Sequence, residues 1–120
     1  MKLYIGGAEN GQRELAAAES GLLPALCSPE AAYSAPCIDK FHLTIRELLQ
    51  TGGDAREFAR RLTVENPNAV VVCDEIGLGI VPLDPFERRW REDTGRALCI
   101  LAEHAERVVR VFCGVPQVIK

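Results

Sequence analysis

Three apolar runs, rich in β-branched residues, punctuate the chain: KLYI at 2–5, AVVVC at 69–73 and RVVRVFC at 107–113. Each stops at a turn signal, namely Gly6-Gly7, Asp74 and Gly114. Runs of this kind, largely without apolar–polar alternation, suit strands covered on both faces of a sheet. QVIK, after the Gly114-Val115-Pro116 turn, predicts a short edge strand at the C-terminus.

Between these runs the pattern turns helical. GQRELAAAE opens at the glycine loop, and IDKFHLTIRELLQ ends at Gly52-Gly53. Asp54 is placed to cap AREFARRLTVEN, which stops before Pro67. The longest helical stretch is DPFERRWREDTGRALCILAEHAE, with Asp84 as cap and Pro85 at the first helical position. Its Phe86, Trp90, Ala97, Leu98, Leu101 and Ala105 form one apolar stripe. Residues 20–37, rich in Ala, Pro and Ser, read as a long connection with room for one short strand. Strands alternating with helices predict an α/β fold with a largely parallel sheet.

Composition narrows the function classes. A chain of 120 residues is one domain by length, and 48% apolar with 26% charged residues argues against disorder. A net charge of −3 gives no broad basic field, so no nucleic-acid partner is expected. No apolar stretch is long enough for a membrane span, and MKLYIGG lacks a signal-peptide core. Cys27, Cys37, Cys73, Cys99 and Cys113 include no C-x-x-C pair, which points away from a zinc site. They read as small buried hydrophobes in a reducing, cytoplasmic setting.

The chemistry-bearing stretch is Gly6-Gly7-Ala8-Glu9-Asn10-Gly11-Gln12-Arg13. It has the spacing of a phosphate-binding loop, G-x-x-x-x-G-K-[S/T], between a strand and a helix, where backbone N–H groups cradle an anion. Gln12 stands in place of the lysine and Arg13 in place of the hydroxyl. A neutral amide forgoes the roughly 1.5–3 kcal/mol of a charged hydrogen bond to phosphate. Losing the hydroxyl removes a magnesium ligand, and Glu9 should repel a triphosphate. Arg13 is open to two readings: counter-charge to phosphate in place of the metal, or an exposed first-turn residue. Asp74-Glu75, at the end of AVVVC, resembles the acidic strand end of many P-loop proteins. Carboxylates also follow strands simply because the next turn is solvated.

Residues 74–120 carry a more specific pattern. Asp74-Glu75-Ile76-Gly77-Leu78-Gly79-Ile80-Val81-Pro82 is similar to an N-E-V-G-x-G-I-V-P segment. Arg88, Trp90, Arg91, Glu92 and Gly95 match R-x-[FY]-R-[DE]-x-x-G, and Cys113-Gly114-Val115-Pro116 echoes the closing segment, ahead of Lys120. Together with GGAENGQR, which resembles G-G-A-R-S-G-K-S, these motifs resemble the adenosylcobinamide kinase/adenosylcobinamide-phosphate guanylyltransferase family of cobalamin biosynthesis. PCIDKFHLTIRELL is similar to that family's D-C-L-T-L-W-L-S-N-L-L helix start, in the right order between them.

The resemblance implies a three-layer P-loop fold, reduced in size, spanning 1–120 as a single domain. It also implies a nucleotide or corrinoid ligand, GTP or ATP with Mg²⁺ as cofactor, and homo-oligomers. The departures share a direction. Beyond Gln12 and Arg13, Pro36 stands where the family has an acid, and Leu98-Cys99 replaces an Asn-Gln pair. The middle is shorter where the family holds its guanylyl-carrying histidine. The alignment places His42 in a later helix, so it takes no such role and reads as structural. His104 reads as a partner of a helix dipole.

Three readings stay open. One is a binding or regulatory protein whose phosphotransferase chemistry is lost or strongly altered. Another is an active kinase or guanylyltransferase in which Arg13, Arg88 and Arg91 supply phosphate charge. The third is a structural subunit partner.

Overall fold

The computed structural model describes residues Met1–Lys120. Six strands form one sheet: β1 (Lys2–Gly6), β2 (Ala25–Leu26), β3 (Cys37–Asp39), β4 (Val70–Asp74), β5 (Arg107–Phe112) and β6 (Val115–Val118), in the order β2-β3-β4-β1-β5-β6. All neighbours are parallel except β5 and β6, which form a terminal antiparallel hairpin. The helices are α1 (Gln12–Ser20), α2 (Pro29–Ala32), α3 (Phe41–Gln50), α4 (Ala55–Glu65) and α5 (Pro85–His104). This is the three-layer, P-loop-like α/β arrangement that the sequence predicts, and no helix is long and apolar enough to cross a membrane.

Strand alternation divides the core. Leu3, Ile38, Val71, Cys73 and Val108 face a large cluster completed by Phe41, Ile45, Phe58, Leu62, Ala97 and Leu101 from α3, α4 and α5. Tyr4, Val70, Val72, Val109 and Val111 point the other way, onto Ala16 and Leu15 of α1. Continuous apolar strands are what a doubly covered sheet requires. Asp54 caps α4 through Arg56 and Glu57 N–H, and Asp84 caps α5 through Phe86 N–H at 2.8 Å.

Four details differ from expectation. Ile38 and Asp39 belong to β3, not to the start of a helix. Ile38, fully buried, pairs with Val71 in the sheet, and Lys40 at φ 47° breaks the chain before α3 begins at Phe41. Helical periodicity through IDKF therefore yields to the sheet's need for an interior side chain. The connection 20–37 is more structured than expected, holding β2, α2 and the first residue of β3. The edge strand runs over Val115–Val118, so the Pro116 turn itself lies in it, on an edge where proline's missing donor is tolerated. Of the five cysteines only Cys37 and Cys73 are buried; Cys27 is partly exposed, and Cys99 and Cys113 are exposed on the outer face of α5 and in the hairpin turn.

In the α5 stripe, Ala97, Leu101 and Ala105 are buried, while Phe86, Trp90 and Leu98 pack against the same core from its rim. Thr94, one turn beyond Trp90, is a further buried member that hydrophobic patterning passes over.

Candidate functional site at the glycine loop

β1 is central: the chain leaves it toward β2, β3 and β4 on one side and β5 and β6 on the other. The C-terminal ends of the strands at such a switch point form the usual crevice of an open α/β sheet. Here those ends carry Gly6 (β1), Asp39 (β3) and Asp74 (β4).

Between β1 and α1 the loop closes tightly. Asn10 N–H donates to the Gly7 carbonyl at 3.2 Å, and Glu9 and Gly11 take positive φ (62° and 99°). Gly6 has no room for a side chain: a Cβ there would lie 2.6 Å from the Val111 carbonyl oxygen and 2.9 Å from Gln12 Oε1. The hairpin turn grips the loop from beyond. Gly114 N–H donates to the Asn10 carbonyl at 2.8 Å and Cys113 N–H to Asn10 Oδ1 at 3.2 Å. The first turn of α1 has no side-chain cap, which leaves its N–H groups for an anion or water.

Gln12 is 3% exposed. Its Nε2 lies 2.8 Å from Asp74 Oδ1, 3.1 Å from the Gly6 carbonyl and 3.0 Å from that of Gly7. Three acceptors around one nitrogen fix the amide's orientation. Its Oε1 is left buried and without a partner.

Arg13 is an exposed first-turn residue of α1, and its guanidinium is paired within the chain. Its Nε donates to Asp39 Oδ2 at 2.7 Å and its outer nitrogen to the Pro24 carbonyl at 3.2 Å. Asp39 ends β3 and places a carboxylate beside the loop, three residues after Pro36. An apolar pair ending in a carboxylate, Cys37-Ile38-Asp39, repeats the Val72-Cys73-Asp74 ending of β4 and was the available signal.

His42 stands behind Asp74. Its Nδ1 accepts from the Asp74 N–H at 3.3 Å, which puts the proton on Nε2, 3.6 Å from Asp74 Oδ2. Trp90 Nε1 donates to the His42 carbonyl at 2.7 Å. Burial lowers the His42 pKa, only partly opposed by the neighbouring Asp74 charge. Cys73 Sγ lies 3.8 Å from His42 Nδ1, and burial pushes its thiol up to about 12, which makes it inert. Glu75 is held by Arg110 at 3.3 Å, and its N–H donates to the Gly6 carbonyl at 2.8 Å.

The cavity at the loop is about 100 Å³, roughly the volume of three waters. Four carboxylates line it, Glu9, Glu14, Asp39 and Asp74, against two cations, Arg13 and Lys40. These residues do not fit a magnesium-bound triphosphate. The lining is net acidic, Gln12 and Arg13 stand in place of the lysine and the hydroxyl, and Asp74 is bonded to Gln12 and Asp39 to Arg13.

Gly77, Gly79, Pro82, Arg88 and Arg91 lie apart from this cavity. Arg91 holds the Gly77, Gly79 and Ile80 carbonyls, and Arg88 holds those of Pro82 and Leu83. Both guanidiniums therefore stiffen the loop that follows β4. His104 Nδ1 lies 3.1 Å from the Ile100 carbonyl in the last turn of α5.

Comparison with known proteins agrees with this architecture. The family described as cobinamide kinase / cobinamide phosphate guanyltransferase matches residues 5–119. Over 51 residues, 42% of this chain and 30% of the other, the sequence is 37% identical to the bifunctional adenosylcobalamin biosynthesis protein CobP of Pseudomonas aeruginosa PAO1. This chain thus aligns with under one third of that relative's length.

Proposed function

The chain belongs to the cobinamide kinase/cobinamide phosphate guanyltransferase family, and on that premise we propose that it serves cobalamin biosynthesis by binding rather than by phosphoryl transfer. The supporting observation is the Gln12 amide. It occupies the position of the phosphate-binding lysine and is bonded to Asp74 and two loop carbonyls. Phosphoryl transfer on such a loop depends on positioning and on neutralising phosphate charge. Here Gln12 and Arg13, at the positions that should do so, are bonded to Asp74 and Asp39 instead. The ligand in this reading is a small anion or a corrinoid, and the protein acts as a binding or regulatory member of the pathway.

A second reading, an active kinase or guanyltransferase, draws support from Asp39 and Asp74. Both strand-end acids are in place beside the loop.

Calorimetric titration separates the two readings. Wild-type protein and a Gln12→Lys, Arg13→Ser variant are titrated with GTP and ATP, with and without Mg²⁺, and with cobinamide. The binding reading expects no magnesium-dependent nucleotide binding by the wild type and its appearance in the variant. Micromolar, magnesium-dependent binding by the wild type, followed by phosphate transfer to cobinamide, establishes the enzymatic reading instead.

A further inference from the structure

The chain holds three asparagines, Asn10, Asn66 and Asn68, and their surroundings differ. An asparagine side chain loses its amide without any enzyme when the backbone nitrogen of the next residue attacks its Cγ. That reaction needs a free N–H as nucleophile, a free amide nitrogen as leaving group, and a side-chain carbonyl that can take up negative charge.

Asn66 fails on two counts. Pro67 follows it and has no N–H, and its own Nδ2 donates to the Ala32 and Ala35 carbonyls at 2.9 and 2.8 Å. Asn68 is exposed, but the N–H of Ala69 is engaged by the Asn66 carbonyl at 3.2 Å, and Ala69 is buried. Asn10 meets every condition. Gly11 follows it, and the Gly11 N–H donates to no group in the chain. Glycine has no Cβ to obstruct the attack and lets the peptide plane turn. Asn10 Nδ2 donates to nothing either. It rests over Gly7, where a Cβ would lie 2.6 Å from it. Asn10 Oδ1 accepts from the Cys113 N–H at 3.2 Å, so a backbone donor already stands where the oxyanion develops. Asn10 is half-buried, within reach of water.

We infer that Asn10-Gly11 is a site of self-modification, at which the folded loop converts Asn10 to aspartate and isoaspartate. The Gly11 nitrogen gives up its proton and bonds to Asn10 Cγ. The Cγ–Nδ2 bond breaks, and the amide leaves as ammonia with that proton. Water then opens the cyclic imide. Opening at Cγ restores the main chain with an aspartate at position 10. Opening at the main-chain carbonyl routes the chain through the side chain and turns the carbonyl that Gly114 N–H holds at 2.8 Å into a free carboxylate. Either product adds a negative charge next to Glu9, and the second also alters the clasp between loop and hairpin. One tie opposes the reaction: the Gly114 bond to the Asn10 carbonyl loosens as the peptide plane turns. One hydrogen bond is worth at most about tenfold in rate.

The test incubates the full chain at mildly alkaline pH in heavy-oxygen water, folded in one arm and unfolded in guanidinium chloride in the other. Tryptic digestion and fragmentation of the peptide covering residues 3–13 then locate the label. Heavy oxygen is expected at position 10 and not at Gln12, with the folded rate within about tenfold of the unfolded one. In the folded arm Asn68 should label more slowly than Asn10, and an Asn10→Asp variant should take up no label in this peptide. A folded rate more than about tenfold below the unfolded one overturns the inference, because the loop then protects Asn10. Label that enters Gln12, or Asn68 ahead of Asn10, overturns it as well.

Discussion

Replacing Gln12 by leucine tests whether its amide is a structural member of the loop. The Nε2 carries two hydrogens, so its three contacts amount to about two bonds. The bond to the Asp74 carboxylate is worth roughly 1.5–3 kcal/mol and a carbonyl bond roughly 0.5–1.5 kcal/mol. Leucine loses both but also removes the orphaned Oε1, which returns roughly 1–3 kcal/mol of desolvation cost. A net loss of about 1–2 kcal/mol follows. Gln12→Lys keeps donors toward the same acceptors, adds a cation beside Asp74 and has no orphaned oxygen. It should match or exceed the wild type. Gln12→Glu sets a second carboxylate where the amide met Asp74 and should fare worst, losing more than about 3 kcal/mol unless it binds a proton. Urea unfolding resolves these differences, since about 2 kcal/mol moves the midpoint by roughly 1 M at a slope near 2 kcal/mol/M. A leucine variant as stable as wild type, or a lysine variant weaker than leucine, refutes the assignment of the amide as the loop's internal tie.

Acid should expose His42. Its pKa is lowered in the folded state, so the unfolded chain binds the proton first. Stability is then full above the unfolded value of about 6.5 and falls as pH drops from there toward the folded pKa, and His42→Gln should flatten that part of a urea-midpoint profile against pH. Alkali tests Tyr4, whose hydroxyl donates to Glu19 at 2.6 Å and whose pKa is pushed up to about 12, first by burial and then by that carboxylate. Stability should hold below about pH 10 and decline between 10 and 12, a decline absent in Tyr4→Phe. Arg13→Ser leaves Asp39 without its cation. A double-mutant cycle with Asp39→Asn should give a coupling of about 1 kcal/mol, discounted because Arg13 is 48% exposed; zero coupling removes the pair from the account.

What the sequence made legible follows the strength of each local signal. β1, β4 and β5 are apolar runs with turn residues at their ends, and α4 and α5 announce themselves through Asp54, Asp84 and Pro85. Such signals are local and need no partner. β3 is different: it has three residues, and its identity as a strand depends on Val70 and Val71 lying beside it. The same pairing decides Asp39, so the site's second acid was hidden with the strand that presents it. The glycine loop was legible as a loop, because Gly6 and Gly11 answer steric demands that spacing reflects. The partners of Gln12 and Arg13 were not, since Asp74 and Asp39 lie 62 and 26 positions away. Thr94 was missed because a buried hydroxyl inside an apolar stripe reads as a polar gap until the packing is known.

The two substitutions in the loop also make sense together. Each strand-end acid meets a residue from the first turn of α1: Asp74 meets Gln12, and Asp39 meets Arg13. With a hydroxyl at position 13 in place of the guanidinium, Asp39 loses its counter-charge within the chain. The guanidinium supplies that counter-charge permanently, from within the chain. A loop satisfied in this way has less to gain from a ligand. Any anion that needs Gln12 must first break the bond to Asp74, at roughly 1.5–3 kcal/mol, which lowers affinity by about ten- to a hundredfold. The same internal ties let the loop hold its shape with nothing bound.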